Sequence, residues 1–288
     1  MAEIRDYAAP RSLAEALRVL ASGPATVLAG GTDLMPQSRA GRVRFAPTLL
    51  NLQGIAELRG VTRSAGDIEI GALTTITDLL EDPLIRAGAP VLHKACDHFA
   101  SSQIRNAATL GGNICNASPA GDTLVPLLVL GASVVLASAA PAGIVKRRLP
   151  LAQFLVGPGR TARRADELLV AVQAPVPAAG WVDRYVKFGA RPALDISAIA
   201  LAVGGTLRDG RLEDARVAFG AVAPTAIRAS TAERVLSEGP LDRARIDRAV
   251  DAADAAIRPI SDVRASDWYR RELVHNLLRR VLNDVCDA

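Results

Sequence analysis

Apolar positions along the first half of the chain switch between helical and strand spacing. Leu13, Ala16, Leu17 and Leu20 share one helix face, Ser12 and Glu15 form a capping box ahead of it, and Gly23-Pro24 stops it. Residues 25–29 then read as a short apolar strand, 33–40 as one or two helical turns, and 47–52 as the next strand. This opening is a small β-α-β lobe. Residues 67–72 alternate polar and apolar as a half-buried strand does, Thr75 caps a helix through Leu80, and 83–99 is helical with a break at Gly88-Ala89-Pro90. Strands are expected over 132–138, 144–149 and 168–172.

Pro and Gly punctuate Pro175-Val176-Pro177-Ala178-Ala179-Gly180, which marks a domain boundary that few contacts should cross. Beyond it lie strand-like runs at 183–188, 197–207 and 215–222, the last two joined by the hairpin turn Arg208-Asp209-Gly210-Arg211. Helical spacing dominates from 226 onward. The last helix carries Leu273, Leu277, Val281 and Val285 on one stripe, with Arg270, Arg271, Arg279 and Arg280 on its more exposed side. The pattern therefore predicts a domain over 1–177, with lobes at about 1–55 and 56–177. An α+β domain over 178–288, a three-stranded sheet plus helices, follows it.

Two glycine pairs stand out against this frame. Val27-Leu28-Ala29-Gly30-Gly31-Thr32-Asp33-Leu34 leaves a strand, and Thr109-Leu110-Gly111-Gly112-Asn113 leads through Asn116 and Ser118 to Asp122, which is placed to N-cap an apolar helix. Paired glycines let backbone N–H groups approach a ligand closely, so two such turns predict two cradles for one extended anionic ligand such as a dinucleotide diphosphate. A single such stretch would read as a core-joining turn. Neither stretch is a P-loop or a G-x-G-x-x-G turn. In Tyr185-Val186-Lys187, Lys187 is either a solvated surface lysine or a cation facing a ligand's anionic edge.

Composition narrows the function. The net charge of +4 is spread along the chain, its longest basic cluster is Lys146-Arg147-Arg148, and aromatics are only 3%, so no nucleic-acid surface is expected. Cys96, Cys115 and Cys286 are widely separated and His93, His98 and His275 lack ligand spacing, so no metal or iron–sulfur centre is expected on this chain. The thiols fit a reducing compartment. The charged start Met1-Ala2-Glu3-Ile4-Arg5 has no apolar leader core, and no apolar run approaches the ~20 residues that span a bilayer. A cytoplasmic protein with no membrane span is expected.

The two glycine stretches, with Asp122, Tyr185-x-Lys187 and Asp195, resemble the FAD-binding medium subunit of molybdenum hydroxylases of the xanthine dehydrogenase and carbon monoxide dehydrogenase type, over essentially the whole chain. The resemblance implies an α+β fold: a two-lobed FAD-binding domain of the p-cresol methylhydroxylase/vanillyl-alcohol oxidase type, then a small α+β C-terminal domain. It places Val27 to Leu34 and Thr109 to Asn113 around the diphosphate and ribityl chain. Asp122, Leu169 and Lys187 match FAD-contacting positions, and Phe99 and Ile196 match positions flanking the isoalloxazine. It also implies noncovalent FAD as the cofactor here and no catalytic acid or base for the organic substrate. Molybdopterin and [2Fe-2S] clusters would sit only on a large and a small partner subunit, in a dimer of heterotrimers. Lys187 could supply the positive charge that favours the anionic reduced flavin. Two other readings stand beside this one: a self-contained flavin oxidase of the vanillyl-alcohol oxidase type, and a nucleotide-binding module without redox activity.

Overall fold

The computed structural model describes residues 4–64, 66–191 and 194–286, so Met1 to Glu3 of the charged start lie outside it. The first lobe is a three-stranded parallel sheet with Thr48–Asn51 between Asp6–Ala8 and Ala25–Leu28, and the strand at Asp6 is one the hydrophobic pattern does not reveal. The helix Leu13–Ser22 starts where its spacing predicts, but only half the capping box forms. Ser12 Oγ accepts the Glu15 amide, whereas Glu15 Oε2 takes the amide of Arg11.

A five-stranded antiparallel sheet forms the second lobe, in the order Val61–Ser64, Asp67–Gly71, Glu167–Pro175, Ser133–Ala140, Gly143–Pro150. Ser133–Ala140 and Glu167–Pro175 carry long apolar runs because both their faces are covered, whereas Asp67–Gly71 keeps its half-buried alternation. Val135, Ala137, Leu168 and Val170 pack with Leu13, Leu17 and Leu20 of the first lobe. Val134, Leu136, Leu169 and Val172 face the helices Ile76–Glu81, Pro90–Asp97, Leu110–Asn116 and Leu124–Val129 on the other side.

A four-stranded sheet follows, Trp181–Phe188, Ile199–Arg208, Arg211–Gly220 and the two-residue Ile227–Arg228, one strand more than expected. Asp209 and Gly210 both have positive φ, which the two-residue hairpin between the long strands requires. Alternation divides Ile199–Arg208 between two cores. Ile199, Leu201 and Val203 face the helices Ser230–Ser237, Arg243–Ala253 and Asp267–Cys286. Ala200 and Ala202, with Ala218 and Gly204, face the helix Leu124–Val129, whose six residues are all buried. Small residues let this helix lie close to the sheet: a Cβ on Gly204 would come 2.7 Å from Val129. Apolar contacts thus run straight across the 175–180 segment instead of thinning there.

Arg270 departs from the pattern. It is 2% exposed, not on the solvent side of its helix, and donates to the carbonyls of Ala198 and Ala221 and to Asp262. Burial pushes the Asp262 carboxyl up, but the Arg264 amide and the Arg270 guanidinium outweigh it and hold it at about 2. Arg270→Met, which leaves the carbonyls of Ala198 and Ala221 without this donor, should cost about 1–3 kcal/mol for each stranded acceptor in a urea titration. Among the described residues no helix is long and apolar enough to cross a membrane.

Candidate functional site

The first glycine turn is shaped by contact with the second stretch. Gly30 packs flat against the loop before Thr109, so that a Cβ there would lie 1.8 Å from the Ala107 carbonyl oxygen. Gly31 takes φ +69, a left-handed conformation that glycine adopts without strain. The helix Leu34–Arg39 then begins without a side-chain cap, because the Asp33 carboxylate bonds Gln37 Nε2. Gln37 Nε2 also donates to Asn116 Oδ1 at 3.1 Å, joining the two stretches by side chains. Among the described residues, the N–H groups of Gly30, Gly31, Thr32 and Asp33 meet no protein acceptor. They are available to a ligand.

The second glycine pair differs from the expected turn. Gly111 and Gly112 lie in the first turn of the helix Leu110–Asn116, which Thr109 caps. The amides of Leu110, Gly111, Gly112 and Asn113 are taken by Thr74 O, Ala72 O, Thr109 Oγ1 and Thr109 O. This stretch therefore offers no amide cradle, because its own cap and the strand-end loop saturate it. Its glycines provide closeness instead. A Cβ on Gly111 would come 2.8 Å from Ala72, while one on Gly112 would meet only Thr109 Oγ1 within 4 Å and otherwise project into open space.

Asp122 is likewise not the cap of the apolar helix, a position held by Thr123. Its Oδ2 accepts from Lys187 Nζ at 2.8 Å, and Lys187 also donates to the His98 carbonyl at 3.2 Å. Both side chains are only about a tenth exposed (10% and 12%), so Lys187 is neither a solvated lysine nor a free cation. Burial raises the Asp122 pKa, opposed by the charge and hydrogen bond of Lys187. Asp122 Oδ1 and the nearby Tyr185 hydroxyl are buried without a protein partner.

All the candidate residues except Leu28, Leu110 and Lys187 line one cleft of about 930 Å³. Leu110 is in the core, and Lys187 stands behind Asp122. The size is at the upper end for small-molecule pockets, which suits an extended ligand. Phe99, Leu169 and Ile196 give it an apolar wall; Ile196 comes from the C-terminal part, on a loop pinned by Asp195 to the amides of Ala190 and Ile196. Gln37, Asn116, Thr161 and Arg163 also line the cleft, and the motif-based choice omitted them. Only Asn116 had a local signal, as a polar residue after the glycine pair. The cleft fits a flavin dinucleotide: unpaired amides for phosphate, an unfilled Cα at Gly112, a partnerless carboxylate oxygen at Asp122 and apolar side chains for a ring.

Comparison with known proteins agrees with this geometry. Residues 2–177 match the family described as the FAD binding domain in molybdopterin dehydrogenase, and residues 184–285 match the CO dehydrogenase flavoprotein C-terminal domain. The chain is 34% identical to the xanthine dehydrogenase FAD-binding subunit of Escherichia coli O157:H7, over 100% of this chain and 98% of that one. It is 33% identical to the carbon monoxide dehydrogenase medium chain of Afipia carboxidovorans, covering 96% and 95%. In structure it is similar to the reconstituted CO dehydrogenase from Oligotropha carboxidovorans, with a TM-score of 0.93 at 31% identity, covering 100% of this chain and 99% of that one. With both halves matched and the cleft formed where they meet, this chain belongs to the FAD-binding medium-subunit family of the xanthine and carbon monoxide dehydrogenases.

Proposed function

We propose that this chain carries noncovalent FAD within a cytoplasmic molybdenum hydroxylase and relays electrons from the [2Fe-2S] clusters of a small partner subunit to an external acceptor. Hydroxylation takes place at molybdopterin on a large partner subunit, and the complex is a dimer of heterotrimers. Residues 1–177 hold the cofactor and 178–288 complete the cleft. The observation that carries the reading is the single cleft that gathers both glycine stretches with Asp122, Leu169, Phe99 and Ile196.

In this reading the unpaired amides of Gly30 to Asp33 bind the diphosphate, and the bare Cα of Gly112 leaves room for it. Phe99, Leu169 and Ile196 exclude water from the ring. Asp122 Oδ1 would accept a hydrogen bond from a ribityl hydroxyl, and Lys187 holds that carboxylate in place. FAD bound there supplies the ability to take up and release electrons one or two at a time. The family and the cleft, rather than an acid–base constellation, support the electron-relay reading.

An absorption spectrum of the purified chain, repeated on the supernatant after acid denaturation, tests the reading. FAD released into solution, together with co-purification of two chains, one of them bearing molybdenum, is the expected result. Flavin left in the precipitate, or a colourless protein that takes up no added FAD, would overturn it. Gly112→Val should lose FAD by at least about tenfold in affinity, since apart from Thr109 Oγ1 at 2.9 Å its Cβ meets no protein atom within 4 Å and projects into the cleft. A thermal melt of the variant separates this loss from unfolding. Stoichiometric FAD in that variant would remove Gly112 from the binding surface.

A further inference from the structure

We propose that Arg163 is the residue by which the cleft recognises the adenosine-diphosphate arm of its ligand, and so selects a flavin dinucleotide over a mononucleotide. This rests on the FAD reading above. Among the described residues, Arg163 is the only Lys or Arg that lines the cleft. The carboxylates that line it are already engaged: Asp33 by Gln37, Asp122 by Lys187 and Asp195 by backbone amides. A diphosphate entering this space finds one cation not already matched.

The guanidinium is set up for that task. Its Nη1 donates to the carbonyls of Glu167 and Arg164, at 2.7 and 3.1 Å, which fixes the plane of the group. Its Nη2 and Nε meet no protein acceptor among the described residues, so two donors of the fork stay unused. The neighbouring arginines are treated differently: Arg147 and Arg164 both pair with Glu167, at 2.6 and 3.1 Å. Arg163 has no carboxylate within ion-pair distance among the described residues. A pinned and unneutralised arginine fork is suited to phosphate oxygens.

Its position agrees. The segment bearing Arg163 is tied to the end of the Leu110–Asn116 helix by the Gly159 amide, which donates to Ala117 O at 3.1 Å. Cys115, in the last turn of that helix, lines the cleft together with Asn116 and Arg163. Burial pushes its thiol up to about 11, with the charge of Arg163 pulling against it. There Asn116 bonds Gln37, the partner of Asp33 in the first glycine turn. This is a polar wall next to free amides, matched to the dinucleotide arm, whereas the apolar side chains match the ring.

Titrating the flavin-stripped protein with FAD and with FMN, at low and high salt, tests the assignment. Arg163→Gln should weaken FAD about 10- to 100-fold and leave FMN affinity unchanged, since hydrogen bonds to charged groups are of this size. It should also flatten the salt dependence of FAD binding. Arg163→Lys should restore part of the affinity through charge alone. Wild-type FAD affinity in Arg163→Gln, or equal losses of FAD and FMN, would overturn the proposal. Failure of the wild-type protein to take up FAD would instead refute the FAD reading itself.

Discussion

Gly30→Ala is expected to lose bound flavin and to destabilise the protein by at least about 3 kcal/mol, the upper range for overpacking. The new methyl would sit 1.8 Å from Ala107 O and 2.7 Å from the carbonyl carbon, inside any permissible contact with backbone. That backbone cannot easily retreat. The amides of Ala107 and Ala108 both donate to Ile104 O, and Ala108 O accepts from Ile76 at 3.0 Å. Either the two glycine stretches part, opening the cleft, or the loop at 107–108 breaks its bonds. Gly23→Ala is the control: a Cβ there meets nothing within 4 Å, and its stability should change by less than about 0.5 kcal/mol. Thermal melts and FAD content of both variants decide the matter, and a Gly30→Ala protein with native melting and full flavin would show that the stretches need not touch.

Lys187→Met should cost about 3–5 kcal/mol at neutral pH, because it strands a buried carboxylate. The deficit should depend on pH with a definite sign. Burial already raises the Asp122 pKa above its ordinary value, and Lys187 is what opposes the rise. Without Lys187 the folded-state pKa climbs further, so the native state holds its proton over a wider range than the unfolded chain does. Stability of the variant is then greatest below the ordinary carboxylate range and falls as pH rises through the new folded pKa. Urea titrations across pH should show the gap from wild type small in acid and widening toward neutrality. A gap constant with pH would mean that Asp122 is not the group stranded. Lys187→Met, Asp122→Asn should recover much of the loss at neutral pH. In the flavin-loaded protein, Lys187→Met is also expected to lower the flavin potential, as removing a positive charge disfavours the reduced anion; an unchanged potential would deny Lys187 any tuning role.

These two sites divide what is local from what is not. The helix Leu13–Ser22, the Thr75-capped helix Ile76–Glu81 and the hairpin at Asp209-Gly210 all formed where spacing, caps and turn residues placed them. Such features depend on residues within a turn or two of one another, which a sequence displays directly. Recognition of the family also needed only the order of the motifs. The tasks of particular side chains were another matter. Asp122 looks like a cap from its neighbours alone, but a lysine 65 positions away claims it. Arg270 reads as a solvent-facing arginine until the carbonyls of Ala198 and Ala221 arrive beside it. The glycine pair at 111–112 reads as an amide cradle until Ala72 and Thr74 take its donors.

By itself, then, the sequence determined the longer elements, the α+β class and the place of the two glycine stretches, because hydrophobic period and backbone freedom are properties of neighbouring residues. The short strands Asp6–Ala8 and Ile227–Arg228 carry too few residues to show a period. Only the tertiary structure decided which amides stay unpaired, which charges are neutralised and that Arg163 enters the cleft. Those outcomes depend on desolvation and on partners far along the chain, and a buried charge or donor takes whatever acceptor the packing brings to it.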